Sequence, residues 1–169
     1  MKLRTAALLI ALATVAAGFA DRLDLLDRLG GSPAQQSVAR VERVVDGDTI
    51  RVRIGGREET VRYIGVDTPE TKKPGAPVQC FGQRASAENE RLVEGARVRL
   101  VTDAEPRDRY GRLLAYVFDA QDGVFVNERL LRGGFARTLT IAPNDRHEAR
   151  FRLAEARARA SGTGLWGQC

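Results

Sequence analysis

Histidine and cysteine, the side chains that most often ligate zinc, are scarce in this chain. Its 169 residues include one histidine, His147, and two cysteines, Cys80 and Cys169. A two-histidine acid–base mechanism is therefore excluded, and a zinc site built from several His and Cys ligands is disfavoured. The Gly-x-Ser-x-Gly and Walker-type phosphate-binding motifs are also absent. These absences leave carboxylates and guanidinium groups as the main candidates for chemistry.

The longest apolar run in the chain is short for a membrane-spanning helix, which needs roughly 20 apolar residues. Residues 1–20 combine two basic residues, an uncharged apolar stretch over 6–17 and a small-residue ending. This pattern predicts a secretory signal peptide cleaved after Ala20. The alternative is an uncleaved anchor formed by residues 5–20. The expected location is therefore periplasmic or extracellular, or membrane-anchored if the leader stays in place.

Lysine is scarce too, since arginine supplies 24 of the 27 basic residues. The formal net charge is +5, and loss of residues 1–20 would leave 25 basic and 22 acidic residues, a net charge of +3. A modest positive charge suits a polyanionic partner. The planar arginine side chain also suits bidentate phosphate contacts, although genomic base composition is the better explanation for arginine usage alone.

The two cysteines predict one intramolecular disulfide between Cys80 and Cys169, because disulfides persist in exported proteins. Such a bridge would tie the last residue to the middle of the domain. A loop of that size is worth about 4 to 5 kcal/mol in the chain-entropy model. Two free thiols and an intermolecular bridge are the alternatives.

Alternating apolar residues and turn residues predict four strands, at 38–45, 49–54, 60–66 and 97–102, and a mostly apolar run of strand length predicts a fifth at 113–118. Helical periodicity and stop signals predict three helices, at 81–93, 126–131 and 144–160, with Asn144 as a helix cap. Short turns between the first three strands indicate antiparallel hairpins. This order predicts an α+β, mainly β fold: a five-stranded antiparallel Greek-key barrel of the OB-fold type with three α-helices. The expected organisation is a leader (1–20), a linker (21–37) and one domain (38–169).

Three polar clusters fall at predicted strand ends or in adjoining loops: Asp46-Gly47-Asp48-Thr49, the segment 62–70, and Asp108-Arg109-Tyr110-Gly111-Arg112. Each alone is an ordinary turn or charged loop. Together they supply carboxylates and guanidinium groups at the places where functional residues usually collect. Asp48 and Asp67, with the backbone carbonyl of Thr68, would form a partial shell for a hard cation such as Ca²⁺.

The remaining candidates have the charges that phosphodiester hydrolysis needs. Arg62 and Arg112 would stabilise negative charge that develops on a phosphodiester. Glu70, three residues beyond Asp67, is the candidate general base that orients or deprotonates a water molecule. His147 falls in the first turn of the last predicted helix and is interpreted as structural or solvent-facing.

The three clusters resemble those of the staphylococcal nuclease family in order and spacing. The similarity covers roughly residues 39–166 and continues through Cys80 to Ser86, Val126-Asn127-Glu128, Gly134-Phe135-Ala136 and the segment from Pro143-Asn144 to Glu148. The resemblance implies an OB barrel that cuts single- and double-stranded DNA and RNA internally and leaves 3′-phosphate ends, with no stable protein partner. It assigns Ca²⁺ binding to Asp48, Asp67 and Thr68, and catalysis to Arg62, Glu70 and Arg112.

The resemblance also places Asp46 beside metal-bound water and Tyr110 in the nucleotide site, where a turn residue and a packed aromatic are the ordinary interpretations. One segment, 138–142, departs from the family pattern, because it is one residue shorter and lacks tyrosine. Aromatic stacking contributes about 1 to 3 kcal/mol per base, so we expect weaker nucleotide binding or an altered base preference.

A non-catalytic module that binds nucleic acid or protein is the main functional alternative, since the same fold also occurs without its active-site residues. Such a module would be tethered to the membrane if the leader stayed uncleaved. None of the key residues is missing here, which favours the enzyme.

Overall fold

The computed structural model describes residues 35–71, 75 and 77–169. The predicted leader, and the predicted linker up to residue 34, lie outside the described residues. Within the described part of the chain, no helix has the length and apolar character needed to span a membrane. The elements below all belong to one compact unit, Ala34–Cys169.

The described residues form seven strands, which we number in chain order: β1 (Gln36–Asp46), β2 (Thr49–Ile54), β3 (Arg57–Tyr63), β4 (Gly65–Asp67), β5 (Arg97–Val101), β6 (Leu113–Asp119) and β7 (Arg137–Leu139). Five of them close into a barrel in the order β1-β2-β3-β6-β5, and β4 pairs with β7 in a separate sheet. The predicted five-stranded barrel is therefore confirmed. The prediction of antiparallel strands throughout is wrong for β3 and β6, which pair in parallel. A long connection rather than a hairpin joins these two strands.

The three predicted helices are present as α1 (Gly82–Val93), α2 (Val126–Arg132) and α3 (Glu148–Ala160), followed by the single turn α4 (Leu165–Gln168). The third helix begins four residues later than predicted, so Asn144 is not its cap. The side-chain amide of Asn144 instead donates to the backbone oxygen of Glu105 at 2.8 Å and accepts from its N–H at 2.8 Å. Asn144 thus joins two loops.

The predicted strand over 60–66 is interrupted at Ile64, which lies in a turn, and β4 begins at Gly65. Gly65 has a φ of 78°, which is the left-handed conformation that favours glycine. A Cβ at this position would lie 2.5 Å from the ring of Phe151 on α3, so the helix also requires glycine here. The interruption lets β4 leave the barrel and pair with β7, with Asp67 opposite Arg137.

The barrel core is aliphatic, with fully buried side chains that include Ile50, Val52, Val61, Val98 and Leu100. A buried polar chain connects this core to the first polar cluster. The Tyr63 hydroxyl donates to Asn89 Oδ1 at 2.9 Å, and Asn89 Nδ2 donates to the backbone oxygen of Asp46 at 2.9 Å. Because Asn89 is on α1, these bonds fix the end of β1 relative to the helix.

The predicted disulfide is present between Cys80 and Cys169, with Cα atoms 6.0 Å apart. It joins the segment before α1 to the residue that follows α4, across 89 positions of sequence.

Candidate active site

The three polar clusters meet at one end of the barrel. They line a cavity of about 100 Å³, which we call the catalytic cavity; its lining residues are Asp46, Asp48, Thr49, Arg62, Asp67, Thr68, Pro69, Glu70 and Arg112. Every residue predicted as a metal ligand or catalytic group therefore faces the same small space.

Asp48 lies in the turn between β1 and β2 and is only 5% exposed. Its Oδ2 accepts hydrogen bonds from the Thr68 N–H at 2.8 Å and hydroxyl at 3.0 Å, and its Oδ1 accepts from the Thr49 hydroxyl at 3.1 Å. A Cβ on Gly47 would lie 2.6 Å from Thr68 Oγ1, so the glycine allows this close approach. Asp48 thus joins the first two clusters.

Arg62, on β3, is held between two carboxylates. Its Nε lies 3.2 Å from Asp48 Oδ1, and its Nη2 donates to Asp67 Oδ1 at 3.0 Å. Its Nη1 donates to the backbone oxygens of Tyr63 at 3.0 Å and Val66 at 2.7 Å. These four contacts fix the guanidinium plane at the wall of the catalytic cavity.

Negative charge is concentrated at the turn before Asp48. Burial, together with the neighbouring Asp48 carboxylate, raises the pKa of Asp46 to about 6. Asp46 Oδ1 also accepts a hydrogen bond from the Asp48 N–H at 3.1 Å. The turn therefore holds two carboxylates that repel each other.

Glu70 follows β4 and has its backbone fixed by the segment before α1. The Glu70 N–H donates to Gln79 Oε1 at 2.9 Å, and the Gln79 N–H donates back to the Glu70 carbonyl at 2.9 Å. Gly82, the first residue of α1, packs so closely that a Cβ would lie 3.1 Å from the Glu70 oxygen. Glu70 Oε1 accepts from the Thr71 N–H at 2.8 Å.

Arg112 is positioned by Asp108, a residue whose functional role was not predicted from the sequence. Asp108 Oδ2 accepts from Arg112 Nε at 2.7 Å, and its Oδ1 accepts from the N–H groups of Tyr110 at 2.9 Å and Arg112 at 3.0 Å. Although burial opposes the effect, these bonds hold the pKa of Asp108 below its ordinary value. The sequence signal for this role was that aspartate often accepts a hydrogen bond from the backbone N–H two residues later in a turn, here that of Tyr110.

A second and larger cavity of about 430 Å³ adjoins the first and shares Arg62 and Arg112 with it. Tyr110 lines this cavity and is 68% exposed, and Arg109 Nη2 donates to its hydroxyl at 2.6 Å. Leu139 and Ile141, from the segment that departs from the family pattern, form part of another wall. That wall is therefore aliphatic, and weaker base stacking stays a prediction.

The donor set of the catalytic cavity fits a hard cation. Within the described residues, no cluster of three or more His, Cys, Asp or Glu side chains is arranged to bind a metal ion by itself. A cation here would depend on two carboxylates, those of Asp48 and Asp67, with the Thr68 carbonyl and water completing its shell. Calcium accepts such oxygen ligands, whereas zinc prefers nitrogen and sulfur.

Comparison with known proteins decides the family. A family model described as staphylococcal nuclease homologue matches residues 60–168. The chain belongs to this family. The match includes Arg62, Asp67 and Glu70, as well as the loop that carries Arg112.

Several known proteins are similar to this chain over most of its length. Endonuclease YncB of Bacillus subtilis (strain 168) is 45% identical over 128 residues, which are 75% of this chain and 60% of that protein. Thermonuclease of Staphylococcus hyicus is 41% identical over 137 residues, which are 81% of this chain and 80% of that protein. Thermonuclease of Staphylococcus intermedius is 44% identical over 126 residues, 75% and 74% of the two chains. These names support the predicted hydrolase class.

Proposed function

We propose that this protein is an exported, Ca²⁺-dependent endonuclease that hydrolyses phosphodiester bonds in DNA and RNA and leaves 3′-phosphate ends. The observation that carries this proposal is the catalytic cavity. It brings Glu70, Arg62 and Arg112 together with the oxygen ligands of Asp48 and Asp67. Family membership supports the same reaction.

Each side chain has a role that its contacts allow. Asp48, Asp67 and the Thr68 carbonyl would hold the cation, which when bound would offset negative charge on the phosphodiester. Glu70 accepts a proton from the water that attacks phosphorus. The bond from phosphorus to the 5′ oxygen breaks, the leaving 5′ oxygen takes up a proton from solvent water, and the phosphate stays on the 3′ oxygen. Arg62 and Arg112 donate to the phosphoryl oxygens, where negative charge increases in the transition state.

Export is the part of the proposal that rests on the predicted leader. The Cys80–Cys169 disulfide supports it, because such bonds persist outside the cytosol. The alternative of an uncleaved membrane anchor makes a different prediction for the mature N-terminus. N-terminal sequencing of protein recovered from the culture medium or periplasm should begin after Ala20, whereas recovery only in membranes with an intact leader would contradict export.

The non-catalytic alternative is disfavoured because no predicted catalytic or ligand residue is replaced. Hydrolysis of single-stranded DNA by the full chain, with Ca²⁺ or with chelator, tests the two directly. We expect cleavage only with Ca²⁺, and products that gain a free 3′ hydroxyl after phosphatase treatment. Folded protein that does not cleave DNA with Ca²⁺ would rule the nuclease out.

Two substitutions test the assigned roles. Glu70→Gln and Arg112→Gln should each lower kcat by about 100-fold or more, because each removes a group that acts on proton or charge in the transition state. The matched controls Glu90→Gln and Arg132→Gln change exposed residues on α1 and α2 and should leave kcat unaltered. Unfolded variants, or equal losses in the controls, would contradict catalytic roles.

A further inference from the structure

The outer face of the barrel carries arginines that lie directly opposite one another across strands. On β1, Arg40 has its Cα paired with Arg97 of β5 on one side and with Arg53 of β2 on the other. Arg43 of β1 is paired with Arg51 of β2. We call these five residues the basic face. All are exposed except Arg51, whose surface is intermediate.

An irregularity in β1 brings its two arginines onto the same face. Residues three apart on a regular strand point to opposite faces. The register shifts between Val41 and Arg43, so that Glu42 is an extra residue in β1. This extra residue brings Arg43 back to the same face as Arg40. Val41 and Val44 consequently point into the core, while Arg40 and Arg43 both point outward.

The basic face has an excess of positive charge in the free protein. Arg53 pairs with Glu42 at 2.6 Å and Arg51 with Glu58 at 2.5 Å. Within the described part of the chain, no ion pair joins Arg40, Arg43 or Arg97 to a carboxylate. Like charges directly opposite each other destabilise a sheet, and a polyanion that covers the face would relieve this repulsion.

The basic face also leads to the catalytic cavity. Along the β1–β2 pair, Arg43 opposite Arg51 is followed by Val44 opposite Ile50 and then by Asp46 opposite Thr49, which line the cavity. Counted along β2, where Thr49, Arg51 and Arg53 are the partners of Asp46, Arg43 and Arg40, the spacing of about 3.4 Å per residue places Arg43 about 7 Å and Arg40 about 14 Å from Asp46. A strand with one phosphate in the cavity can therefore place further phosphates over the arginines.

We propose that the basic face is a second binding site for nucleic acid, which holds the sugar-phosphate backbone of a polynucleotide outside the catalytic cavity. This inference rests on the proposed function for the identity of its polyanion. Guanidinium groups contact phosphates without reading bases, so the site increases affinity for long substrates of any sequence. A dinucleotide, with its single phosphate in the cavity, does not reach it.

Binding is measured with the full chain carrying Glu70→Gln, in chelator, so that DNA stays intact. The triple variant Arg40→Gln/Arg43→Gln/Arg97→Gln is compared with a control triple of the same charge change, Arg132→Gln/Arg152→Gln/Arg157→Gln, on α2 and α3. Fluorescence anisotropy of a labelled 30-nucleotide strand should give a log–log salt slope lower in magnitude by about 2 for the face triple, as expected for loss of three phosphate contacts. The control triple should keep the parent slope. Equal changes in both triples would overturn the proposal, since net charge alone would then explain binding.

Kinetics with Glu70 restored locate the effect. The face triple should raise KM for the 30-nucleotide strand about tenfold, leave kcat within about twofold, and leave cleavage of a dinucleotide unaltered, because only the distant phosphate contacts are lost. A matching loss on the dinucleotide would show damage to the catalytic cavity and overturn the second site. An inactive parent would refute the proposed function. The anisotropy comparison would still show whether the basic face binds nucleic acid.

Two further results complete the test. The face triple should unfold at the same urea concentration as the parent or a higher one, because opposed like charges have been removed. Binding to phosphatidylserine vesicles is measured for the parent and the face triple. If the face triple lost vesicle binding but bound the DNA strand as tightly as the parent, the face would be a membrane-binding surface, and the proposal of a polynucleotide site would be overturned.

Discussion

Arg112 depends on one neighbouring carboxylate for its position at the catalytic cavity. Asp108 accepts hydrogen bonds from the Arg112 side chain and also from two backbone N–H groups of the same loop. The carboxylate therefore shapes the loop and aims the guanidinium, without lining the catalytic cavity itself. Its effect on the reaction would pass through Arg112.

Asp108→Asn should lower kcat about tenfold while changing the folded structure little. The amide oxygen can still accept from the backbone N–H groups, but the charged bond to Arg112 Nε is lost. Steady-state kinetics and the urea midpoint are compared with those of Asp122→Asn, whose carboxylate accepts a hydrogen bond from the Val124 N–H in an exposed turn. An unaltered kcat in Asp108→Asn would show that Arg112 is positioned by the loop alone.

His147 lies in an aromatic cluster, as its structural interpretation anticipated. Its ring centroid is 4.5 Å from that of Tyr116 and 5.1 Å from that of Phe125. Burial and the positive charges of Arg150 and Arg146 lower its pKa, against the smaller effects of Asp103 and Glu128. The folded protein therefore favours neutral His147 more than the unfolded chain does.

This shift predicts a pH dependence of stability. As the pH falls through the ordinary histidine value of about 6.5, the unfolded chain takes up its proton first, so the stabilisation present above that pH is progressively lost below it. Between pH 7.5 and 5, the unfolding free energy of His147→Gln should therefore rise relative to that of the parent as the pH falls. Asp46 titrates in the same range with the opposite sign, but it is present in both proteins and cancels in the difference. Identical pH profiles would contradict the shift.

Among the secondary-structure elements, local sequence patterns predicted the strands and helices that depend mainly on local interactions. Most barrel strands follow alternation, whereas β6 is a mostly apolar run of strand length. The helix α1 follows helical periodicity, and α2 ends before the predicted stop at Gly133. The short strand β4 was predicted only as the end of the strand over 60–66, and β7 was not predicted, because three residues contain no usable period and the two strands pair with each other. Asn144 has the residue type of a cap, but its partner, Glu105, is 39 positions away.

The candidate site was predictable in its residue types but not in its assembly. Carboxylates and arginines at strand ends indicated a hard-cation phosphodiesterase site. The contacts that organise them, such as Thr68 with Asp48 and Gln79 with Glu70, join segments that only the tertiary fold brings together. Sequence chemistry therefore indicated candidate reacting groups, but not the residues that hold them in place.

Gly65 connects these elements, and its substitution tests the connection. Gly65→Ala should lower the unfolding free energy by about 2 to 4 kcal/mol, since it adds a clash with the Phe151 ring to the strain of a positive φ. Gly123→Ala is the matched control, because its φ is 76° and a Cβ there would meet no atom within 4 Å. Urea unfolding of both variants separates the two effects. Equal losses would show that Phe151 adapts to the added methyl group.

At the scale of the whole molecule, a covalent bond adds to the packing between the barrel and the helices. The Cys80–Cys169 disulfide closes a loop that includes the four helices of the described residues and strands β5 to β7. In the unfolded chain such a cross-link removes conformational freedom, whereas the folded barrel already holds the two ends close together. The bond should therefore act mainly on the free energy of unfolding, and little on the reaction in the folded protein.

The double variant Cys80→Ser/Cys169→Ser tests this division. Its unfolding free energy should fall by about 4 to 5 kcal/mol at most, the chain-entropy value for a loop of this size, with a lower urea midpoint. Its kcat on single-stranded DNA with Ca²⁺, measured well below that midpoint, should stay within about threefold of the parent, because Gln79 and Gly82 still contact Glu70. Parent protein reduced with a dithiol serves as the control and should match the variant in both measurements. A large fall in kcat with an unaltered midpoint would mean that the disulfide acts on the Glu70 loop rather than on the unfolded chain.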